Sequence, residues 1–155
     1  MQSNNMDKKF VLNQVSEMWS KVPFNNLLGI YITKFDHQEA EIRFNWQDKL
    51  IGNHVQKILH GGVTATALDF AGGVVAAANI IENMKELNVE KLTSSLNKLG
   101  TIDLRTDYLR PGRGEEFIVT AKIIRSGSKV AVARMEMHNE QGEHLAFGTG
   151  TYMVG

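Results

Sequence analysis

Apolar residues recur along this chain with two distinct periods, and the switches between them divide it into elements. Phe10, Val11, Val15, Met18 and Trp19 fall mostly three or four residues apart, which predicts a short amphipathic helix over Phe10 to Val22. Pro23 breaks that pattern, and Asn25-Asn26 marks a loop. Gly29 to Phe35 is rich in β-formers, and His37-Gln38 is placed for a turn. Ala40, Ile42, Phe44 and Trp46 then alternate with Glu41, Arg43 and Asn45, a period of two that predicts a strand with one buried and one wet face.

Asp48 to Leu59 has no period and runs into a glycine pair. From Gly62 to about Leu87 the helical spacing returns in Val63, Ala67, Phe70, Val74, Ala77 and Ile81. A second face of this helix holds Gly62, Thr66, Asp69, Gly73 and Ala76, nearly all small. Mid-helix glycines such as Gly72 and Gly73 cost about 1 kcal/mol each relative to alanine. A sheet, a second subunit or a ligand is therefore expected close to that face, with the helix buried nearly all round. Lys85 to Lys98 is polar and predicts a loop with a frayed helix end. Strand-like segments follow at Thr101 to Leu109, Phe117 to Arg125, Val130 to His138 and Leu145 to Val154, separated by Pro111-Gly112, Ser126-Gly127 and Asn139 to Gly142. Short turns between alternating segments imply an antiparallel meander.

Composition narrows the class. A chain of 155 residues with 43% hydrophobic and 22% charged positions has the make-up of one globular domain with a real core. Lysine plus arginine equals aspartate plus glutamate at 17 each, so no overall field favours nucleic acid or a membrane surface as partner. The absence of cysteine removes disulfides and thiolate-bound metals. Met1 to Lys9 is polar and charged, without the apolar core of a signal peptide, and no run reaches the roughly 18 apolar residues of a membrane span. These features lead us to expect a cytoplasmic protein.

Candidate chemistry concentrates at His60-Gly61-Gly62, with Asp69 nine residues after the histidine. Glycines at the mouth of a helix leave backbone N–H groups uncovered at the positive end of the helix dipole, an arrangement suited to an oxyanion. A plain turn before a helix would carry the same glycines. Asp69 stands on an otherwise small and apolar face, where an acid is costly to bury and needs a reason. That reason is either chemistry or a hydrogen bond to backbone or to a partner-chain arginine. The five histidines lack a spacing such as H-x-x-x-H, so no metal is expected. No P-loop is present.

In order along the chain, Leu28-Gly29-Ile30, Leu59-His60-Gly61-Gly62 with Ala67-Leu68-Asp69, Ile102-Asp103-Leu104-Arg105 with Tyr108-Leu109-Arg110-Pro111, and Gly148-Thr149-Gly150 resemble the hotdog-fold acyl-CoA thioesterases. The likeness is to the His-Gly-Gly group that includes the phenylacetyl-CoA-type enzymes, and it runs from about Pro23 to the C-terminus. It implies an α+β fold in which a curved antiparallel sheet wraps one long central helix. Residues 1–22 would form a helical segment ahead of a domain over 23–155. The resemblance also implies homodimers or dimers of dimers with the active sites at the dimer interface. Asp69 would be nucleophile or general base, and the Gly61 N–H would bind the thioester oxygen across the interface. Gly62 would give steric clearance, and His60 would shape the loop.

Similar enzymes often carry an asparagine six residues before the histidine. Here His54 stands at six and Asn53 at seven, so either could orient water or substrate. Thr101 aligns with a hydroxyl residue that helps hold the water in some relatives, although a strand threonine is also a common β-former. Arg110, Arg125 and Lys129 lie near strand ends and could meet the phosphates of coenzyme A. Trp46, Phe24 and Phe70 could line the acyl pocket or simply pack. Coenzyme A would enter as part of the substrate, with no separate cofactor. A non-catalytic acyl-CoA-binding module is the alternative on the same fold; a hotdog dehydratase lacks its motif context here.

Overall fold

The computed structural model describes residues 7–155; of the polar opening segment, residues 1–6 lie outside the described residues. In chain order the elements are α1 (Lys8–Trp19), α2 (Pro23–Leu28), β1 (Tyr31–Phe35), β2 (Ala40–Asn45), β3 (Ile51–Asn53), β4 (Ile58–Leu59), α3 (Gly61–Asn83), α4 (Val89–Lys98), β5 (Gly100–Tyr108), β6 (Glu116–Ser126), β7 (Val130–Asn139) and β8 (His144–Met153). Six strands form one sheet in the order β1-β2-β6-β7-β8-β5, with every neighbouring pair antiparallel. All six touch α3. Strands lie about 4.8 Å apart and a helix is only about 10–12 Å across, so one helix can meet six strands only if the sheet curves around it. This is the α+β hotdog arrangement that the sequence resemblance implied.

The core is the inner face of that sheet against α3. Ala40, Ile42 and Phe44 of β2, Phe117, Val119 and Ala121 of β6, and Ala133, Met135 and Met137 of β7 are buried against Ala67, Leu68, Ala71, Val74 and Val75 of the helix. Phe44 and Phe117 stack with ring centroids 4.9 Å apart. By length and composition α3 could cross a membrane, but most of it lies inside the sheet, as expected of a core helix.

Several local expectations are corrected. Pro23 does not merely end a helix: it occupies the first turn of α2, which takes in Asn25-Asn26. Proline fits there because that N–H has no helical partner to lose. The aperiodic stretch 48–59 is a 3-10 turn followed by the small β3–β4 hairpin. Helix α3 stops at Asn83, short of Leu87, and the polar Lys85 to Lys98 contains a full helix, α4. Asn88 caps α4 by accepting from the Lys91 N–H at 2.9 Å, and Leu92 and Leu96, one helical turn apart, pack towards Val11, Val15, Ile81 and Leu87. Its few apolar residues are correctly spaced although its composition is polar.

The meander expectation holds for β6, β7 and β8, whereas β5 joins β8 at the far edge. The connection 109–115 is too long for a tight hairpin and is held elsewhere, with Gly112 accepting from the Leu59 N–H at 3.0 Å. Nor is α3 buried nearly all round. Gly62 is exposed, and Ala65, Thr66, Asp69, Phe70 and Gly73 are only half-buried.

Candidate active site

Helix α3 begins at Gly61, and its first turn is held by side chains. His60 is the N-cap, its Nδ1 accepting from the Gly62 N–H at 2.8 Å. This assigns the imidazole proton to Nε2. The Tyr108 hydroxyl donates to the Gly61 carbonyl at 2.6 Å. Both polar groups of the Gly61–Gly62 peptide are therefore clamped. The Gly61 N–H differs: among the described residues it has no acceptor. Sequence alone could not rank the two glycine N–H groups, and here the histidine occupies one and leaves the other open. His60 thus touches the site through the backbone. The half-buried Gly61 opens on a cavity of about 390 Å³ lined by Ile58, Leu59, Thr64, Tyr108, Arg110 and Leu145, among others.

Asp69 lies two helical turns further on. Its Oδ1 accepts from the Thr101 hydroxyl at 2.8 Å, so the structure brings these two sequence candidates together. The Tyr152 hydroxyl donates to the Asp69 carbonyl at 2.9 Å and lies 3.4 Å from Oδ1. Thr101 and Tyr152 are direct partners across the β5–β8 ladder, so one cross-strand pair presents both hydroxyls to the acid. Burial, reinforced by the Asp69 charge and the hydrogen bond to it, pushes the Tyr152 pKa well up and keeps the phenol a donor.

Sequence reasoning passed over Tyr152, yet this residue accounts for part of the glycine pattern. A Cβ on Gly72 would come within 2.0 Å of the Tyr152 hydroxyl, and one on Gly150 within 2.6 Å of its ring. The close approach expected at the small residues of α3 is, at Gly72, this tyrosine. The signal available in sequence was the inward alternation Gly148, Gly150, Tyr152 opposite a helix glycine, which only strand register could connect.

Among the described residues no other candidate side chain hydrogen-bonds to Asp69. Asn53 Oδ1 accepts from the Val55 and Gln56 N–H groups at 3.0 Å each, building the β3–β4 turn. His54 lines a different hollow with Trp46, Asp48 and Lys57, where the Trp46 indole N–H donates to Asp48 at 3.1 Å. Arg110 borders the Gly61 cavity while donating to the His144 carbonyl at 2.8 Å. Arg125 is at the end of β6 beside Ser126, whose hydroxyl donates to Asn79, roughly 27 Å along the helix from Gly61. Lys129 is in the β6–β7 turn, its carbonyl accepting from the Val154 N–H. Phe70 packs on Trp19 with centroids 6.3 Å apart, and Phe24 is largely exposed on α2.

A carboxylate held by hydroxyls is equipped to activate water or attack a carbonyl, and an open N–H at a helix start to polarise a carbonyl oxygen; in this chain the two lie about 12 Å apart along α3. Comparison with known proteins agrees with the frame. Residues 56–146 match the thioesterase superfamily profile. The chain is 46% identical over 145 residues to the medium/long-chain acyl-CoA thioesterase YigI of Escherichia coli K12, covering 93% of this chain and 94% of that one. It is 29% identical to mouse acyl-coenzyme A thioesterase 13 over 69% of each chain. A crystal structure from Shewanella oneidensis, described as related to the thioesterase superfamily, superposes with a TM-score of 0.92 at 52% identity, over 96% of this chain and 97% of that one. The chain belongs to the thioesterase superfamily.

Proposed function

We propose that this protein hydrolyses acyl-CoA thioesters of medium to long acyl chain, with Asp69 as nucleophile or general base and the Gly61 N–H polarising the carbonyl. The observation that carries the chemistry is the Asp69 carboxylate held by Thr101 at 2.8 Å on the helix that begins with the free Gly61 N–H. The substrate class follows the name of the 46%-identical relative. The motif alone leaves acyl length and aromatic versus aliphatic preference open, and that name favours medium and long chains. Either water attacks with Asp69 taking its proton, or Asp69 attacks and water cleaves the resulting mixed anhydride; the thiolate of coenzyme A leaves in both routes.

One chain does not complete this machinery. Asp69 stands eight positions after Gly61 on α3, about 12 Å of helical rise, too far for both to act on one carbonyl. We infer a homo-oligomer in which Asp69 of one protomer faces Gly61 of another. The outer edge of β5, with Ile102 and Tyr108 exposed, is the candidate seam.

The test is turnover on short, medium, long and phenylacetyl-CoA substrates by wild type and Asp69→Asn. Medium and long chains should be preferred, and the variant should lose about 10²–10⁴ in kcat with its oligomeric state intact. Binding without turnover across the panel would point to a non-catalytic module. Gly61→Pro sharpens the test: His60 already has φ −59° and ψ 132°, the conformation favoured before proline, so the N–H is removed without unwinding the helix start, while the added Cβ presses on the Tyr108 hydroxyl at 3.3 Å. Each variant alone should be nearly inactive. Co-refolding the two should restore about a quarter of wild-type activity, because half of the dimers would be mixed and each would hold one intact site. No recovery would overturn the shared-site inference.

A further inference from the structure

The outer face of the sheet, opposite α3, carries three side chains that the reaction above does not use. Glu136 and His138 are two residues apart on β7, so both point outwards while Met135 and Met137 point into the core. His144 on β8 joins them through an irregularity in the ladder: Met137 pairs with Ala146, but His138 pairs with His144. Without the extra residue His144 would share the inner face with Ala146; the bulge turns it out beside His138. The two imidazoles stack with centroids 4.6 Å apart. One ligand atom from each of the three residues lies within 4.8 Å of the others.

Two details bear on what this cluster takes. The His144 Nε2 is buried without a hydrogen-bond partner and lies 4.0 Å from Glu136 Oε2. Glu136 Oε1 is turned the other way, 3.8 Å from the Arg134 guanidinium, which itself rests over the Phe147 ring. One carboxylate oxygen is therefore steadied and the other is offered towards an unsatisfied imidazole nitrogen. We propose that Glu136, His138 and His144 form a binding site for a divalent transition metal of the zinc class. Two imidazoles and a carboxylate supply three ligands of a tetrahedral ion, leaving one position for water. Bonds of about 2.0–2.1 Å would draw the ligand atoms to about 3.3 Å apart, a contraction that half-exposed side chains can make. The site would tie the β7–β8 hairpin and lies on the opposite face of the sheet from Asp69.

Calorimetric titration of the chelator-stripped full-length protein with zinc chloride tests this. One saturable site is expected, with His138→Ala and His144→Ala each weakening it by at least about tenfold. Glu136→Gln should weaken it with both rings retained, which separates ligand loss from misfolding. No saturable binding would overturn the proposal. So would equal binding by the His138→Ala/His144→Ala double variant, which would assign the ion to His37, His54 or His60.

Discussion

The two faces of the same six-stranded sheet are built from alternate residues of the same strands, yet they are held by different forces. The inner face is apolar and sealed: Ile42, Phe44, Phe117, Val119, Met135 and Met137 are almost wholly buried on α3, and Tyr152 reaches from it to Asp69. The outer face is a mosaic of partly solvated ions. Arg43 bridges Glu41 and Glu116 at 2.8 Å each, Lys122 meets Glu39 at 3.4 Å, and Arg134 approaches Glu136. Inner contacts gain from excluding water and close packing, whereas outer ones compete with water and salt. The inner face thus determines where α3 lies, and with it Asp69 and Gly61. The outer face is free to vary or to acquire a separate role.

That contrast can be broken by measurement. Phe44→Ala empties a fully buried, ring-stacked position and should cost about 3–5 kcal/mol in denaturant unfolding. Tyr152→Phe keeps the ring between Gly72 and Gly150 and removes only the hydroxyl, so a loss of about 0.5–1.5 kcal/mol is expected. The same variant should lower kcat more than it changes KM, because Asp69 loses a fixed donor. Arg43→Gln on the outer face should cost less than about 1 kcal/mol, and less again in high salt. A cost comparable to that of Phe44→Ala would end the distinction between the faces.

The outer pair also has a pH signature. Burial works against ionising Glu41, but hydrogen bonds from Thr33 and Arg43 and the Arg43 charge outweigh it and hold its pKa below 4.5. A carboxylate with a lowered folded pKa adds stability that is present above its unfolded value and is lost as pH falls through the folded value. The wild-type advantage over Arg43→Gln should therefore be full at neutral pH and shrink below about pH 4.5.

Much of the inner architecture was legible along the chain. The alternation of Ala40, Ile42 and Phe44 located β2, and the glycine pair followed by helical spacing located the start of α3. These are local signals, because a strand or helix repeats its environment every two or roughly four residues. Thr101 and Asp69 were both legible as candidates from family resemblance, although their 2.8 Å contact was not. The polar composition of Lys85 to Lys98 concealed α4, whose Leu92 and Leu96 matter only beside Val11 and Ile81. Tyr152 could not be linked to Gly72 without register, since they stand 80 positions apart in the chain.

The sequence by itself determined the class of fold, the long helix and the placing of an acid eight residues beyond Gly61, because periodicity and motif spacing are properties of neighbouring residues. Only the tertiary structure decided that β5 pairs with β8 and that His60 occupies the Gly62 N–H while the Gly61 N–H stays open. It also decided that one displaced residue in β8 turns His144 towards His138 and Glu136. Each of these depends on which distant backbone groups find one another, and hydrogen-bond register between strands leaves no local pattern to read.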